Sequence, residues 1–308
     1  VLVLLIISCL TTISAQYAAV TIPGSQLRKI TSKIVTGQEY DLHITLPSGY
    51  DSSNKKYPVV YLMDSQWDFP LINSIYGEQY FDGFIPKLII VGVTWGGKNP
   101  NPDFLRARDY TPTNEPGTKQ SGGADQFLDF MKSELFPYID SNFKTDKENR
   151  TLMGCSLGGL FTMYTLFTHT DMFSGYVAAT PAIAWDNTVL NQFQKTFAQK
   201  KIAKPTRLFM TIGDVESGRE NFEKFSAFIQ EQKYSNLYVS SKVLENTGHS
   251  GTKSETYSRG LQFIFERNKL ALSSEVLNKY VGVYQFPNGD NLEIKKEKNQ
   301  LVCYLLNK

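Results

Sequence analysis

Histidine is scarce in this chain, with three among 308 residues, and cysteine is equally rare at three. So few ligand-type side chains exclude a zinc framework, and three cysteines cannot staple a disulfide scaffold. Charge of one sign is not in surplus either. There are 32 basic and 30 acidic residues, a net of +2, so the basic excess of a nucleic-acid-binding surface is missing. No apolar run is long enough to cross a bilayer as a stable helix. No internal repeat or low-complexity linker divides the chain. The sequence has neither a Walker-type loop nor a histidine cluster, so no cofactor and no metal is expected. What is present is core material: 20 Phe, 17 Tyr and 3 Trp, within a hydrophobic fraction of 41% and a charged fraction of 20%. Those values belong to a globular protein and exclude a disordered, collagen-like or coiled-coil chain.

The two ends differ from the middle. Residues 1–15 join the apolar run Val1–Leu10 to Thr-Thr-Ile-Ser-Ala15, the shape of a signal-peptide core with small residues before a cut after Ala15. No initiator Met or basic segment precedes it, so it reads as a partial signal peptide. It predicts a secreted or periplasmic protein, with Cys9 as a candidate lipid anchor. Residues 16–272 are expected to form the catalytic domain. From 273 to 308 the helical periodicity is gone, and short alternating runs flank a Pro-Asn-Gly turn at 287–289. This stretch reads as the start of a small β-domain that is cut off.

Between the ends, strands alternate with helices. Tyr40–Leu46 alternates apolar and polar residues. Tyr57–Met63 and Leu88–Val93 are continuous apolar runs that suit strands covered on both faces. Apolar residues at helical spacing fill Ala124–Phe143, and a strand at 150–154 leads to a helix at 157–168. Strands at 176–179, 207–212 and 238–244 follow, with helices near 188–200, 218–232 and 253–268. This alternation predicts an α/β fold with a mostly parallel central sheet.

Gly154-Cys155-Ser156-Leu157-Gly158 matches G-x-S-x-G in the strand–turn–helix setting that a nucleophile elbow requires. The sharp turn lifts the Ser156 hydroxyl off the carboxyl end of the sheet. It also aims the Leu157 N–H, at a helix N-terminus, toward a developing oxyanion. The plainer alternative is a serine cap on a tight turn. A nucleophilic serine needs a base. His43 lies within an early strand and reads as a cross-strand or surface residue. His169 ends a helix, where it complements the dipole. His249 occupies a glycine-flanked loop after the last strand, on the edge that carries the elbow, and is the expected base. The acid should fall between them in the chain, in Gly213-Asp-Val-Glu-Ser-Gly218. Glu216, longer and further along the loop, is preferred, with Asp214 as the alternative. A second oxyanion N–H is expected from Ser65 or Gln66, in the loop Asp64–Asp68 after the Tyr57–Met63 strand. Trp67 and Phe69 are either pocket-lining or core.

With these residues in place, the chain resembles the esterase branch of the α/β-hydrolases. That branch includes siderophore trilactone esterases, feruloyl and acetyl-xylan esterases, S-formylglutathione hydrolase and mycolyltransferases. The resemblance runs through Tyr57–Asp64, Arg106-Ala-Arg-Asp-Tyr-Thr-Pro-Thr113, Phe136–Asp140, Gly154–Leu160 and Gly248-His249, over roughly residues 25–270. The Arg-x-Arg-Asp-Tyr-Thr-Pro segment is most similar to the siderophore esterases. It implies that Arg106 or Arg108 meets an anionic substrate group, the alternative being an ion pair with Asp109. Two departures stand out. Ser65 replaces a frequent Gly, and Thr180-Pro-Ala-Ile-Ala-Trp185 replaces Ser-Pro-Ser-Trp-Trp, which changes a pocket wall that includes Trp185. Some siderophore esterases also manage without a strict acid. The expected activity is hydrolysis, through a Ser-His-acid triad and an acyl-enzyme, of a siderophore-type lactone or a carbohydrate-linked ester. A non-catalytic binding module and an acyltransferase are the alternatives. No nucleic-acid partner is expected.

Overall fold

The computed structural model describes residues 21–118, 120–267 and 271–306. The segment 1–15, with Cys9 and the Ala15 cut, lies outside them. The chain divides into two units, one ending at Glu266 and the other beginning at Arg267.

In the first unit the chain runs β1 (Ser25–Thr31), β2 (Glu39–Thr45), β3 (Tyr57–Leu62), α1 (Ser65–Phe81), β4 (Ile89–Trp95) and α2 (Pro102–Tyr110). It continues through α3 (Ala124–Phe130), α4 (Phe136–Asn142), β5 (Thr145–Cys155), α5 (Leu157–Thr168) and β6 (Gly175–Ala179). It ends with the short α6 (Trp185–Thr188), then α7 (Leu190–Phe197), β7 (Thr206–Gly213), α8 (Arg219–Glu231), β8 (Leu237–Leu244) and α9 (Thr252–Ile264). One eight-stranded sheet takes the order β1-β2-β4-β3-β5-β6-β7-β8. The strands from β4 to β8 in that order are mutually parallel. β1 and β2 form an antiparallel margin. The fold is therefore α/β with a mostly parallel sheet.

Helices cover both faces, so the central strands read as unbroken apolar runs. Every residue of β4 and β6 is buried. On one face Tyr40, Tyr61, Phe127 and Phe161 centre the larger core; on the other, Phe69, Val177, Tyr257 and Leu261 centre a second. Phe161 of α5 stacks on Tyr110 at 5.6 Å between ring centroids and meets Phe127 in a tilted contact at 5.2 Å. The helix behind the elbow is thereby seated in an aromatic cluster.

Several elements differ from the expectation. The predicted loop Asp64–Asp68 is a single turn residue, Asp64, followed at once by α1. The helix was hidden because Asp64 offers no side-chain cap and Pro70 interrupts the interior. α2 was unread, although Asn101 caps the Phe104 N–H at 3.2 Å and Pro102 occupies the first turn, the usual start signals. The helix expected over Ala124–Phe143 contains a π-turn at Met131–Leu135. Pro137 cannot donate and would crowd the Ser133 carbonyl in an unbroken α-helix, and the wider turn accommodates it. β1 escaped notice because it is a largely exposed margin strand with no burial pattern.

The second unit holds α10 (Ser274–Asn278) and the antiparallel strands β9 (Gly282–Gln285), β10 (Asn291–Glu297) and β11 (Gln300–Leu306), in the order β11-β10-β9. Ser273 caps α10 through the Val276 N–H.

Phe161 is fully buried. Phe161→Ala is expected to lower unfolding free energy by about 3–5 kcal/mol, read from urea denaturation.

Candidate active site

Parallel strands deliver their carboxyl ends to one edge of the sheet, and the chain steps to opposite sides of β3 when it enters β4 and β5. Such a switch point opens a crevice at the carboxyl ends. At the β5 end the chain reverses into α5 through Ser156 alone, with φ 59° and ψ −116°. A side chain at positive φ is strained by about 1–3 kcal/mol and persists only where its surroundings hold it. Here the Ser156 N–H donates to the Ala179 carbonyl at 3.0 Å, and the Ser156 carbonyl accepts from Leu160 at 2.8 Å and Ala182 at 3.1 Å. The turn is so tight that a Cβ on Gly154 would fall 2.4 Å from the Gly158 carbonyl oxygen, so only glycine fits. The neighbouring Cys155 thiol is pushed up to about 12, chiefly by burial, so it stays protonated and a poor nucleophile.

At the β3 end Asp64 takes a left-handed φ of 54° and α1 begins at Ser65. The Ser65 hydroxyl lies 2.7 Å from His43 Nδ1 and against Gly92, where a Cβ would collide with it. His43 is thus a cross-strand residue that steadies Ser65, and burial lowers its pKa. The backbone N–H groups of Ser65, Gln66 and Leu157 have no backbone acceptor among the described residues. That is the ordinary condition of the first turn of a helix, and it makes both helix starts anion-seeking.

The β7 and β8 ends carry the titratable pair. Glu216 Oε2 lies 2.7 Å from His249 Nδ1. The same carboxylate accepts from the Thr180 hydroxyl at 2.7 and 2.6 Å and from the Gly213 N–H at 2.9 Å. Burial alone would raise the Glu216 pKa, but these donors outweigh it and the net shift is downward. His249 remains half exposed, at 53% of its side chain, while only 12% of the Glu216 side chain is exposed. Gly213 is needed for this approach, because a Cβ there would lie 1.9 Å from the Thr247 carbonyl oxygen.

Asp214 does not meet His249. Its Oδ1 accepts from the Thr247 N–H at 3.1 Å and so shapes the turn before the histidine. Arg108 is spent on Asp109, at 2.6 and 2.9 Å, and on Gln38 at 3.1 Å. Arg106 grips both oxygens of Asp64, at 3.1 and 2.8 Å. Trp67 is 49% exposed with its ring 5.7 Å from the Arg106 guanidinium, whereas Phe69 is core. Trp185 donates to the Thr113 hydroxyl at 3.2 Å. His169 sits beside Thr168 at the end of α5. Among the described residues no group of three or more His, Cys, Asp or Glu could hold a metal ion, and no helix is long and apolar enough to cross a membrane.

Two features went unread in the sequence. Thr180, at the end of β6, anchors Glu216; the Thr180-Pro181 step after an apolar strand was the available signal. Asp68 is buried and bound by Lys253 at 2.6 Å and Tyr257 at 2.7 Å. This ties α1 to α9, and only the fold brings residues so distant in sequence together.

A mostly parallel sheet with a strained serine elbow at its switch point defines an α/β-hydrolase. The model of the family described as Putative esterase matches residues 33–292. The chain is 28% identical over 269 residues to ferri-bacillibactin esterase BesA of Bacillus subtilis (strain 168), covering 80% of this chain and 91% of that protein. It is similar to the BES protein structure from Bacillus cereus, at 27% identity and a TM-score of 0.74, covering 82% of this chain and 99% of the other. An IroE-like serine hydrolase from Shewanella oneidensis superposes with a TM-score of 0.70 at 27% identity, over 83% and 85% of the two chains. The chain belongs to this esterase family and is an ester hydrolase.

The depressed Glu216 pKa has a pH consequence. A carboxylate shifted down in the folded state contributes stability above its unfolded pKa, near 4.5, and loses it as pH falls through the folded value. Glu216→Gln is therefore expected to lower the melting temperature at pH 7. The gap to wild type should close as pH drops below about 4.5. Melting curves from pH 7 to pH 3 check this.

Proposed function

We propose that the chain is a serine carboxylic ester hydrolase in which Ser156 attacks, His249 is the base, Glu216 is the acid and the substrate is a siderophore-type lactone. The carrying observation is the Glu216–His249 contact at 2.7 Å, on the sheet edge that presents the Ser156 elbow. In this reading His249 takes the Ser156 proton as Oγ bonds to the ester carbonyl. The negative charge that develops on the carbonyl oxygen is met by the N–H groups of Leu157 and of Ser65 or Gln66. His249 then returns the proton to the departing alkoxide, and water repeats the sequence to release the acid. Glu216 keeps the Nδ1–H tautomer and steadies the imidazolium. The lactone preference is supported by the relatives, among them a ferri-bacillibactin esterase. The half-exposed Trp67 and the partly buried Trp185 would supply aromatic surface to the substrate. The catalytic role is assigned to residues 16–272 and 273–308 is treated as an appended β-module. Residues 1–15 are read as an export signal, so the enzyme would act outside the cytoplasm.

A fluorophosphonate probe should label wild type and fail to label Ser156→Ala. Glu216→Ala should lower kcat by about 10²–10⁴-fold while Asp214→Ala costs far less. Near-full turnover of Glu216→Ala beside an inactive Asp214→Ala would reverse the acid assignment. Across p-nitrophenyl esters, a feruloyl ester and a catecholate trilactone, kcat/KM should be highest for the trilactone. A preference for the feruloyl ester would instead point to carbohydrate-linked substrates.

A further inference from the structure

Arg106 is placed where a substrate-binding arginine would be looked for, yet its Nε and Nη2 donors point inward. Nε and Nη2 engage the two carboxylate oxygens of Asp64, and Nη2 also reaches the Cys155 carbonyl at 3.3 Å. Asp64 is the last residue of the short turn between β3 and α1. Cys155 is the last residue of β5, directly before Ser156. One guanidinium therefore joins the two turns whose free N–H groups would face the oxyanion. The pair is sheltered, with 16% of the Arg106 side chain and 2% of Asp64 exposed. The turn is held from the other side as well, since the Tyr110 hydroxyl accepts the Asp64 N–H at 3.2 Å. Asp64 Oδ2 lies 3.2 Å from where a Cβ on Gly158 would stand, so the carboxylate fills the space beside the start of α5.

A substrate contact needs a cation with charge to offer. Here the charge is already met by a buried carboxylate at 2.8 Å. The geometry is also one that lysine cannot reproduce. An ammonium is a single point, whereas the planar fork addresses two carboxylate oxygens and a backbone carbonyl together.

We propose that Arg106 is a positioning residue: it locks the β3–α1 turn to the nucleophile elbow and so sets the spacing between the Ser65/Gln66 and Leu157 N–H groups. The inference rests on the serine-esterase reading above and reassigns one residue within it. Removing Arg106 would leave the ester equally able to bind, but the N–H groups would no longer converge on the tetrahedral oxygen. The loss would fall on kcat and would be indifferent to substrate charge.

The test is steady-state kinetics of Arg106→Lys, Arg106→Gln, Asp64→Asn and the Arg106→Gln/Asp64→Asn double variant. Two substrates are compared, neutral p-nitrophenyl acetate and an anionic catecholate trilactone. The expected result is a fall in kcat of about 10- to 100-fold on both, smaller than or comparable to loss of one oxyanion donor. KM should stay within about two-fold. The double variant should be no worse than the worse single, because the two residues act as one unit. Inhibition by a boronic acid, which forms a tetrahedral anion on the serine, should weaken in parallel with kcat/KM across the series. A purely structural role would not produce that proportionality. A rise in KM confined to the trilactone, with p-nitrophenyl acetate turnover unchanged, would overturn the proposal and make Arg106 a substrate contact. If Arg106→Lys fails to fold, the same comparison is read from Asp64→Asn, which keeps the side-chain shape. Undiminished turnover of Ser156→Ala would sink the serine-esterase reading itself, whatever the Arg106 series shows.

Discussion

Two neighbouring parallel strands cannot be joined by a tight hairpin, so each must return through a crossover packed on a sheet face. Repeated from β4 across to β8, this constraint sends every strand-to-helix turn to the same edge. Asp64, Ser156, Thr180, Glu216 and His249 come from five different turns, and no local interaction would gather them. The gathering follows from strand direction alone. Direction in turn requires both faces of the sheet to be buried, which the unbroken apolar runs of β3, β4 and β6 and the two aromatic-rich cores provide.

Beneath that edge lies a layer of buried charge. Asp64 pairs with Arg106, and Asp68 with Lys253 and Tyr257. Burial lifts the Asp64 carboxyl above its ordinary pKa, with Arg106 pulling it back. Buried ion pairs often add little net stability, because desolvation consumes much of their attraction. What they can add is directional hold. Each pair here starts on the β3–α1 turn or the first turn of α1 and ends on a different element, α2 or α9. A short helix start with no side-chain cap is thus held by its surroundings. The strained Ser156 backbone is held in the same manner, by bonds to Ala179 and Ala182 on the β6 side.

The fold class was readable because its signals are local and repeated: continuous apolar strands, helical periodicity between them, and glycines packed around one serine. The scarcity of histidine was equally informative, leaving His249 with two competitors that have structural surroundings. Other elements were not readable, for identifiable reasons. α1 lacks a cap and contains Pro70, so local propensity argued for a loop where tertiary packing imposes a helix. The break between α3 and α4 depends on where Pro137 falls relative to the preceding carbonyls. Arg106 and Arg108 look interchangeable in Arg-Ala-Arg-Asp, yet two positions apart on a helix they face different ways. One reaches Asp64 and the elbow; the other turns to Asp109 and Gln38.

By itself the sequence determined which residues could carry the chemistry, because side-chain type and local turn geometry are properties of short segments. It singled out Ser156 as the candidate nucleophile by its G-x-S-x-G setting between strand and helix, and it offered two carboxylates on one loop as candidate acids. Only the tertiary structure decided which of the two meets His249. That choice turns on Gly213 letting the Thr247 backbone pass close by, and on Thr180 reaching across from the neighbouring strand. It likewise decided that Arg106 faces the protein interior. Contacts between residues tens to hundreds of positions apart depend on strand order and direction, and these are set by the burial of the whole sheet rather than by any segment of it.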